Sequence, residues 1–334
     1  MIKNKKLLSK RYSKNFITNK INNNKISKDV KNLKTVSYES CPQCGHNEAS
    51  TVSEVDRTGF FCDTVICNNC ELVFNDSYLS DENNYYKELW GKDRWGVAEK
   101  SFINRTNPDA FSWKRFAYVL SKIEEKFYKI KSVMEIGCGD GCNLFPYHLA
   151  GKKVTGFDFD ETYLSPGRKK GMNLINGNFS DSNDKYDLVM LIHTFEHMQN
   201  LDEVVKNVFN TLNEEGYVYV EVPGIRNWNM TSKNSLICDG FMSSNNFLSY
   251  IQYQHNFHFD FEHLLTFWQR NGFQFVYGDE WARLILQKGT NKFKKFESKT
   301  NIFDYLKKVE NDFTSISNIS LKLMKKIYKF FYNK

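Results

Sequence analysis

The stretch VMEIGCGDG, Val133 to Gly141, has three glycines at alternate positions directly after a short apolar run. The run predicts a buried strand, and the glycines predict a tight turn that brings the backbone close to a ligand. A dinucleotide-binding turn follows the pattern G-x-G-x-x-G. Gly137 and Gly139 fit this pattern, but the third glycine comes one position early, at Gly141. The spacing therefore argues against the pyrophosphate of a dinucleotide as the ligand.

Strands and short helices are predicted to alternate from Val133 onward. Runs such as KKVTGFDF, YDLVMLI and YVYVEVP are strand-like, and amphipathic stretches such as NLDEVVKNVFNTLNEEG lie between them. This order is typical of βαβ units and a mainly parallel sheet, so the sequence predicts an α/β core over residues 131–290. Asp158 ends the second strand, nineteen residues after Gly139. A carboxylate there can accept hydrogen bonds from both ribose hydroxyls of an adenosine cofactor, whether NAD or another.

Five segments in this order resemble the landmarks of class I S-adenosylmethionine-dependent methyltransferases: MEIGCGDG, VTGFDFD, YDLVMLIHTFEHM, LDEVVKNVFNTLNEEGYVYVEVPG and FEHLLTFWQRNGF. The resemblance covers about Val133 to Gln287. It implies a Rossmann-like, seven-stranded, mainly parallel sheet with helices on both faces, and S-adenosylmethionine as the cofactor.

The resemblance also implies roles for individual positions. The wall around the methionine part of the cofactor would be formed by Glu135, Gly137, Cys138, Gly139 and Gly141. Asp158 would hold the ribose, and Phe159 would lie against the adenine. For the adenine amino group the family often has an acid, where this chain has Asn178 followed by Phe179; an amide oxygen can still accept that hydrogen bond. His193 would line the cofactor site through its backbone.

The segment HTFEHM follows a predicted buried strand, at the carboxyl edge where open α/β sheets bind ligands. His197 is the predicted general base, because imidazole titrates near working pH and the acceptor must lose a proton. In related sugar C-methyltransferases, a histidine at the matching position has this role. The Glu-His pair also occurs in methyltransferases with other acceptors, where it can be architectural, so both interpretations stay open.

The stretch 225–263 is rich in aromatic and histidine side chains, namely Trp228, Tyr250, Tyr253, His255, Phe257, His258 and Phe259. Sugars stack on aromatic faces, which favours an acceptor pocket or lid, while packing beneath a long insertion explains the same composition. His255 is the second candidate for a base or an acceptor contact. In the segment 81–130, predicted to be a helical aromatic connector, Tyr85 and Tyr86 are predicted to close over the cofactor.

The chain has eight cysteines, and four of them form two C-x-x-C pairs, Cys41/Cys44 and Cys67/Cys70, with 22 residues between the pairs. Each pair can direct two thiolates at one point, and together they complete a tetrahedral, closed and therefore structural Zn²⁺ site. The segment 36–80 is thus predicted to be zinc-ribbon-like, with the metal supplying much of its folding energy. Redox-active pairs or a lost metal are the alternatives, and Cys62 and His46 are spare candidates.

The net charge of +7 arises at the two ends of the chain. Residues 1–35 carry +10 and the last fourteen carry +5, which leaves −8 for residues 36–320. An acidic body argues against a nucleic-acid groove on the folded part. The leader 1–35, rich in Lys, Asn and Ser, is predicted to be disordered. The tail 291–334 is predicted to be helical, basic and amphipathic, and could contact an anionic membrane or pack on the acidic body.

With no signal peptide and no long apolar stretch, the sequence predicts an intracellular, cytoplasmic protein. A zinc-binding segment and the aromatic stretch YYKELWG ahead of the core resemble enzymes acting on sugars of bacterial surface polysaccharides or nucleotide-linked deoxysugars. The predicted function is methyl transfer to a small-molecule acceptor, a sugar or nucleotide-sugar. O-transfer is preferred over C-transfer, because C-methylating relatives carry a further carboxyl-terminal domain. The alternatives are a zinc-dependent binding module with an inert fold, or methylation of RNA or protein.

Overall fold

The structure is a computed structural model that describes residues 1–17, 34–57, 61–80, 98–226, 247–279, 281–289 and 301–314. These residues divide into two compact units. The cysteine unit comprises the described residues within 1–78, 224–258 and 297–334, and the sheet unit those within 79–223 and 259–296. The predicted boundary of the core was therefore wrong in one respect, because the described residues within 224–258 belong to the cysteine unit and not to the core of 131–290.

The strands are β1 Ile2–Lys5, β2 Thr35–Ser37, β3 Glu48–Ser53, β4 Thr64–Cys67, β5 Val73–Asn75, β6 Ser77–Leu79, β7 Ser132–Ile136, β8 Lys153–Asp158, β9 Asn173–Asn176, β10 Tyr186–Ile192, β11 Leu212–Glu221, β12 Phe257–His258, β13 Phe273–Asp279 and β14 Arg283–Lys288. The α-helices are α1 Lys14–Ile17, α2 Ala98–Thr106, α3 Phe111–Ile123, α4 Phe145–Leu149, α5 Glu161–Arg168, α6 Leu201–Thr211, α7 Phe247–Tyr250, α8 Phe261–Gln269 and α9 Ile302–Thr314. These bounds refer to the described part of the chain.

The sheet unit contains a seven-stranded sheet in the order β13-β14-β11-β10-β7-β8-β9. The pairs formed by β7, β8, β9, β10 and β11 are parallel, and β14 is antiparallel to both β11 and β13. After β9 the chain returns past β7 to begin β10, so the strand order reverses between β7 and β10. These pairings confirm the predicted α/β fold with a mainly parallel sheet. The reversal is also the place where open sheets of this kind bind ligands.

Two predicted details of the sheet unit differ from the structure. The helix of NLDEVVKNVFNTLNEEG ends at Thr211 and the next strand begins at Leu212, because Leu212 pairs with Tyr186 of β10. Helix α3 packs into the core of the sheet unit through Val119 and Ile123, so the core begins earlier than the predicted residue 131. The helix is only partly buried, since Leu120 is 36% exposed.

The cysteine unit is built on a five-stranded sheet in the order β1-β3-β4-β5-β12. Its core combines segments distant in sequence: Leu8, Tyr12, Val52, Ile66, Val73, Ile225, Phe247, Tyr250, Ile251, Ile302, Leu306 and Val309. The prediction of a disordered leader was wrong for its first part, because β1 pairs in parallel with β3. Leu8 and Tyr12 supply the buried apolar area that repays the ordering of this polar segment.

Several predicted features belong to parts of the chain that the structure does not describe. They are leader residues 18–33, Tyr85 and Tyr86, Trp228, and the tail from residue 315. Helix α9, in the described part of the tail, is amphipathic and buries Ile302, Leu306 and Val309 in the cysteine unit. None of the helices in the described residues has the length and hydrophobicity that crossing a bilayer requires.

Candidate functional site

The glycine turn after β7 adopts an alternating backbone conformation. Gly137, Gly139 and Gly141 have φ of +70°, +52° and +78°, in the left-handed region that only glycine enters at little cost. This explains why the glycines occupy every second position. The backbone N–H groups of Gly137 and Cys138 both donate to the carbonyl of Phe157, at 2.8 and 3.0 Å. The turn is thereby fixed to the carboxyl end of β8.

Gly137 also lies very close to the segment that follows β10. A Cβ built on Gly137 would lie 2.5 Å from Oγ1 and 2.7 Å from Cγ2 of Thr194. Real side-chain contacts are never this short, so the position accepts no side chain without a shift of its neighbour. The side chain of Thr194 therefore packs directly on the backbone of the glycine turn, at the point where the strand order reverses.

Asp158, at the end of β8, organises the backbone on both sides of it. Its Oδ2 accepts from the N–H of Gly139 at 2.8 Å, and its Oδ1 accepts from the N–H of Asp160 at 2.9 Å. Burial raises the pKa of this carboxyl above its ordinary value, while the two backbone donors oppose that shift. Each oxygen keeps a lone pair, so the carboxylate can accept two further hydrogen bonds, as a vicinal pair of ribose hydroxyls requires.

Glu135, in β7, is fully buried directly before the glycine turn. Its Oε1 accepts from Nδ2 of Asn143 at 2.8 Å, whereas its Oε2 has no hydrogen-bond partner among the described residues. Burial raises the pKa of Glu135 to about 8, against the effect of Asn143. A buried acceptor without a partner in the wall of a turn fits a ligand that brings its own N–H donor.

A charged network missed by the sequence analysis continues from Asn143 to the ends of β10 and β11. Arg115, in α3, donates through Nη2 to Oε1 of Glu221 at 2.6 Å and through Nη1 to Oδ1 of Asn143 at 3.3 Å. The pKa of Glu221 is lowered by His193 and Arg115 despite its burial. Arg115 and Glu221 are 106 residues apart, and no local pattern marks either as functional.

The backbone N–H of His193 donates to the carbonyl of Glu221, and its φ of +52° turns the half-exposed side chain toward the same network. Its Nε2 lies 3.2 Å from Nη2 of Arg115 and 3.4 Å from Oε1 of Glu221. Partial desolvation within the network acts to lower the pKa of His193, but Glu196 and Glu221 raise it to about 9. His193 was predicted to act through its backbone. Its side chain is protonated at neutral pH and is therefore a poor proton acceptor.

His197 lies in the short 3₁₀ helix Phe195–His197, directly beyond the carboxyl end of β10. Phe195 anchors this helix by packing against Phe259 and Trp268. The carboxylate of Glu196 is buried, with Oε1 3.8 Å from both Nδ1 of His193 and Nε2 of His197. His197 is 18% exposed, so its ring combines a nearby carboxylate with access to solvent.

The three residues predicted for the adenine lie at the ends of β8 and β9. Phe159 is half-buried and Phe179 is buried. Asn178 is exposed, and its Oδ1 accepts from the N–H of Ser180 at 3.1 Å, which caps a 3₁₀ turn. The amide oxygen on which the predicted adenine contact depends is therefore already engaged, with one lone pair remaining.

The cysteine unit brings the four paired cysteines together. The Sγ atoms of Cys41, Cys44, Cys67 and Cys70 all lie within 4.8 Å of one another, with Cys41–Cys70 and Cys44–Cys67 at 3.6 Å. Four sulfurs at about 2.3 Å from a zinc ion would be about 3.8 Å apart, whereas a disulfide requires about 2.0 Å. The arrangement fits a tetrahedral thiolate site and excludes disulfides among these four. Neither Cys62 nor His46 joins the group.

His255 and the aromatic residues around it also belong to the cysteine unit. Tyr250, Tyr253, Phe257 and His258 are buried, which favours packing for these side chains. Phe257 and His258 form β12, which pairs with β5. Burial lowers the pKa of His258 to about 3, so this ring is neutral. His255 is 6% exposed and its ring centroid lies 6.1 Å from that of His258.

Parts of this chain match a family model and several known proteins. A family model described as "Methyltransferase domain" matches residues 111–277, which is half of the chain. The ubiquinone biosynthesis O-methyltransferase of Rickettsia prowazekii is 27% identical over 116 residues, covering 32% of this chain and 46% of that protein. The ribosomal protein L11 methyltransferase of Staphylococcus aureus is 30% identical over 108 residues, covering 29% of this chain and 34% of that protein. The chain thus spans half or less of the length of these two relatives.

Among solved structures, the chain is similar to the plantazolicin methyltransferase BpumL in complex with SAH. The two are 15% identical with a TM-score of 0.43, and the match covers 62% of this chain and 93% of that one. The match to the family model begins at residue 111, the first residue of α3. This start agrees with the packing of α3 into the core of the sheet unit.

Proposed function

We propose that this chain, which belongs to the methyltransferase-domain family, transfers a methyl group from S-adenosylmethionine to a small-molecule acceptor. The observation that carries the proposal is the glycine turn beside Asp158, at the reversal of strand order between β7 and β10. The turn offers a narrow backbone surface, and Asp158 offers two acceptor oxygens. Both match a nucleoside cofactor without a pyrophosphate.

In this proposal each group of the site binds one part of the cofactor. Asp158 accepts hydrogen bonds from the ribose, and Phe159, Asn178 and Phe179 surround the adenine. Glu135 and the turn Gly137–Gly141 bound the methionine part. The bound ammonium favours the ionised form of Glu135 against the effect of burial, so the open Oε2 can accept a hydrogen bond from it. The cofactor supplies a methyl group on a positively charged sulfur. The chain accelerates its transfer by holding donor and acceptor in line, which converts a bimolecular encounter into an oriented one.

The acceptor hydroxyl must lose its proton as the new bond to carbon forms. We assign this proton to the ring of His197, whose neighbour Glu196 presents a buried carboxylate 3.8 Å away. A carboxylate at this distance stabilises the imidazolium that results. His193 is unsuited to the same step, because Glu196 and Glu221 keep it protonated at neutral pH. In the cysteine unit, His255 is assigned to acceptor contact.

The acceptor is proposed to be a sugar or nucleotide-sugar used in surface polysaccharide synthesis, with O-transfer preferred over C-transfer. Its support is the order of a cysteine-rich segment ahead of the methyltransferase domain. The four clustered cysteines are proposed to hold a structural Zn²⁺, supported by their mutual distances. A closed site of four thiolates leaves no position for substrate, so the metal takes no part in the transfer.

Binding of S-adenosylhomocysteine, measured by titration calorimetry, tests the proposed cofactor. We expect Asp158→Ala to weaken this binding by about 10²-fold or more, because two hydrogen bonds to a charged acceptor are lost. The control is Asp184→Asn, which changes an exposed acid of the same unit and should leave the affinity unchanged. If the wild-type protein does not bind, the proposed function is wrong.

The proposed base is tested by His197→Ala, with the transfer rate measured on a panel of sugars and nucleotide-sugars. We expect transfer to slow by about 10²–10⁴-fold, the usual contribution of a general base. The affinity for S-adenosylhomocysteine should stay within about twofold, because the residue acts on the acceptor. A near-normal rate would assign His197 an architectural role instead.

A further inference from the structure

One buried side chain of the cysteine unit, Asn75, binds almost the whole loop that carries His255. Its Nδ2 lies 3.2 Å from the carbonyl oxygen of Gln252, 3.1 Å from that of Tyr253 and 2.9 Å from that of His255. Its backbone N–H donates to the carbonyl of Asn256 at 2.9 Å. The two hydrogens of the Asn75 amide are shared among three of these carbonyls, and the backbone N–H serves the fourth. One residue at the end of β5 thus contacts four carbonyl groups of a five-residue loop about 180 positions away.

The orientation of the Asn75 amide is itself fixed. Its Oδ1 accepts from Oγ1 of Thr64 at 2.9 Å, and the two residues lie opposite each other in β4 and β5. Thr64 and Asn75 are both buried, so water does not compete for these bonds. A buried amide with every polar atom bonded is rigid, and it imposes that rigidity on its partners.

The loop is also held by a hydrogen bond of its own and by the carboxylate of Asp56. The N–H of His255 donates to the carbonyl of Gln252 at 3.1 Å, and the N–H of Tyr253 donates to Oδ2 of Asp56 at 3.3 Å. Because both the N–H and the carbonyl of His255 are bonded, its backbone position in the loop is fixed. Tyr253, His255 and Asn256 are buried, so water does not satisfy their carbonyls and the bonds from Asn75 do so instead.

We propose that Asn75 is a positioning residue that holds the 252–256 loop and thereby sets the place of His255 for acceptor contact. The inference rests on the proposed function for the role of His255, but not for the geometry of the loop. Asparagine suits the position because its NH₂ group donates while its oxygen accepts from Thr64. An aspartate of the same shape would direct an acceptor at three carbonyl oxygens and could not hold them.

Hydrogen exchange and histidine modification on the full-length protein test the positioning. In Asn75→Asp and Asn75→Ser, we expect the amides of Tyr253 and His255 to exchange about tenfold faster or more, because three carbonyls of the loop lose their donor. Diethylpyrocarbonate should modify His255 faster by a similar factor, with His197 in the same sample as the internal reference. Ser50→Ala removes one side-chain hydrogen bond from the same sheet without touching the loop, and it should change neither rate.

If exchange at Tyr253 and His255 in both Asn75 variants equals that of Ser50→Ala, Asn75 does not position the loop. If Asn75→Asp does not fold, the test rests on Asn75→Ser alone. Serine is smaller and neutral, so it places no negative charge against the carbonyl oxygens. The kinetic test is separate: a positioning role raises KM for the acceptor while the affinity for S-adenosylhomocysteine stays within about twofold. If the loop loosens but His255→Ala leaves acceptor KM unchanged, the positioning stands and the acceptor contact proposed for His255 is wrong.

Discussion

Replacing Gly137 by alanine is expected to abolish binding of S-adenosylhomocysteine and to lower the free energy of unfolding by about 2 kcal/mol or more. The residue has a φ of +70°, which strains any side chain, and its new Cβ would lie 2.5 Å from Oγ1 of Thr194. Relief requires the turn and the segment after β10 to move apart. That movement separates the two edges between which the cofactor is proposed to bind. Calorimetric titration and denaturant unfolding measure the two effects.

Gly151→Ala is a matched control for the backbone part of this effect. Gly151 has nearly the same φ, +73°, but its Cβ would meet nothing within 4 Å. We expect this variant to lower the free energy of unfolding by about 1 kcal/mol and to bind S-adenosylhomocysteine normally. Adding Thr194→Ala to the Gly137 variant removes the two nearest atoms, so it should recover part of the lost free energy of unfolding. Equal costs for the two glycine variants, with binding retained in both, would contradict the close approach at Gly137.

Cys67→Ser is expected to release the proposed zinc ion and to unfold the cysteine unit. Cys67 ends β4, is 1% exposed, and its Sγ lies 3.6 Å from that of Cys44. Metal binding supplies folding free energy directly in a unit of this kind, and a serine hydroxyl is a poor ligand for zinc. We expect about one zinc ion per wild-type chain by atomic emission, and none in the variant. Circular dichroism and thermal unfolding should show loss of structure.

The control for this experiment is Cys62→Ser. Cys62 belongs to the same unit but not to the group of four sulfurs, so the variant should keep its zinc and its thermal stability. Removal of the metal from the wild-type protein with a chelator should reproduce the unfolding seen for Cys67→Ser. A wild-type protein that holds no zinc, yet melts as the Cys62 variant does, would show that the four cysteines are no metal site.

The elements that local pattern encodes could be predicted from the sequence. The glycines at alternate positions predicted a tight turn after the strand, and the end of the next apolar run predicted the carboxylate of Asp158 at the end of β8. The two C-x-x-C pairs likewise predicted a cluster of four sulfurs, because each pair is a short turn that presents two sulfurs together. In each case the chemistry lies within a few residues, or at the predictable end of a strand.

Boundaries were less predictable, because tertiary contacts decide them. Helix α6 ends at Thr211, where pairing of Leu212 with β10 replaces the helical pattern. The leader looked too polar to fold, yet Leu8 and Tyr12 are buried, and Tyr12 donates to the buried carboxylate of Glu310 at 2.9 Å. The average composition of the segment does not reveal these two buried residues, one of which bonds to a residue 298 positions away.

By itself, the sequence determined the α/β class, the glycine turn with its acid, and the four cysteines that could share a metal. Only the tertiary structure decided that Arg115 joins Glu221, that Thr194 closes on Gly137, and that Asn75 holds the loop of His255. The physical reason is how far apart in the sequence the interacting residues lie. Backbone conformation and the periodicity of burial are local properties of a chain, whereas a hydrogen bond between residues 106 or 180 positions apart exists only after folding has brought them together.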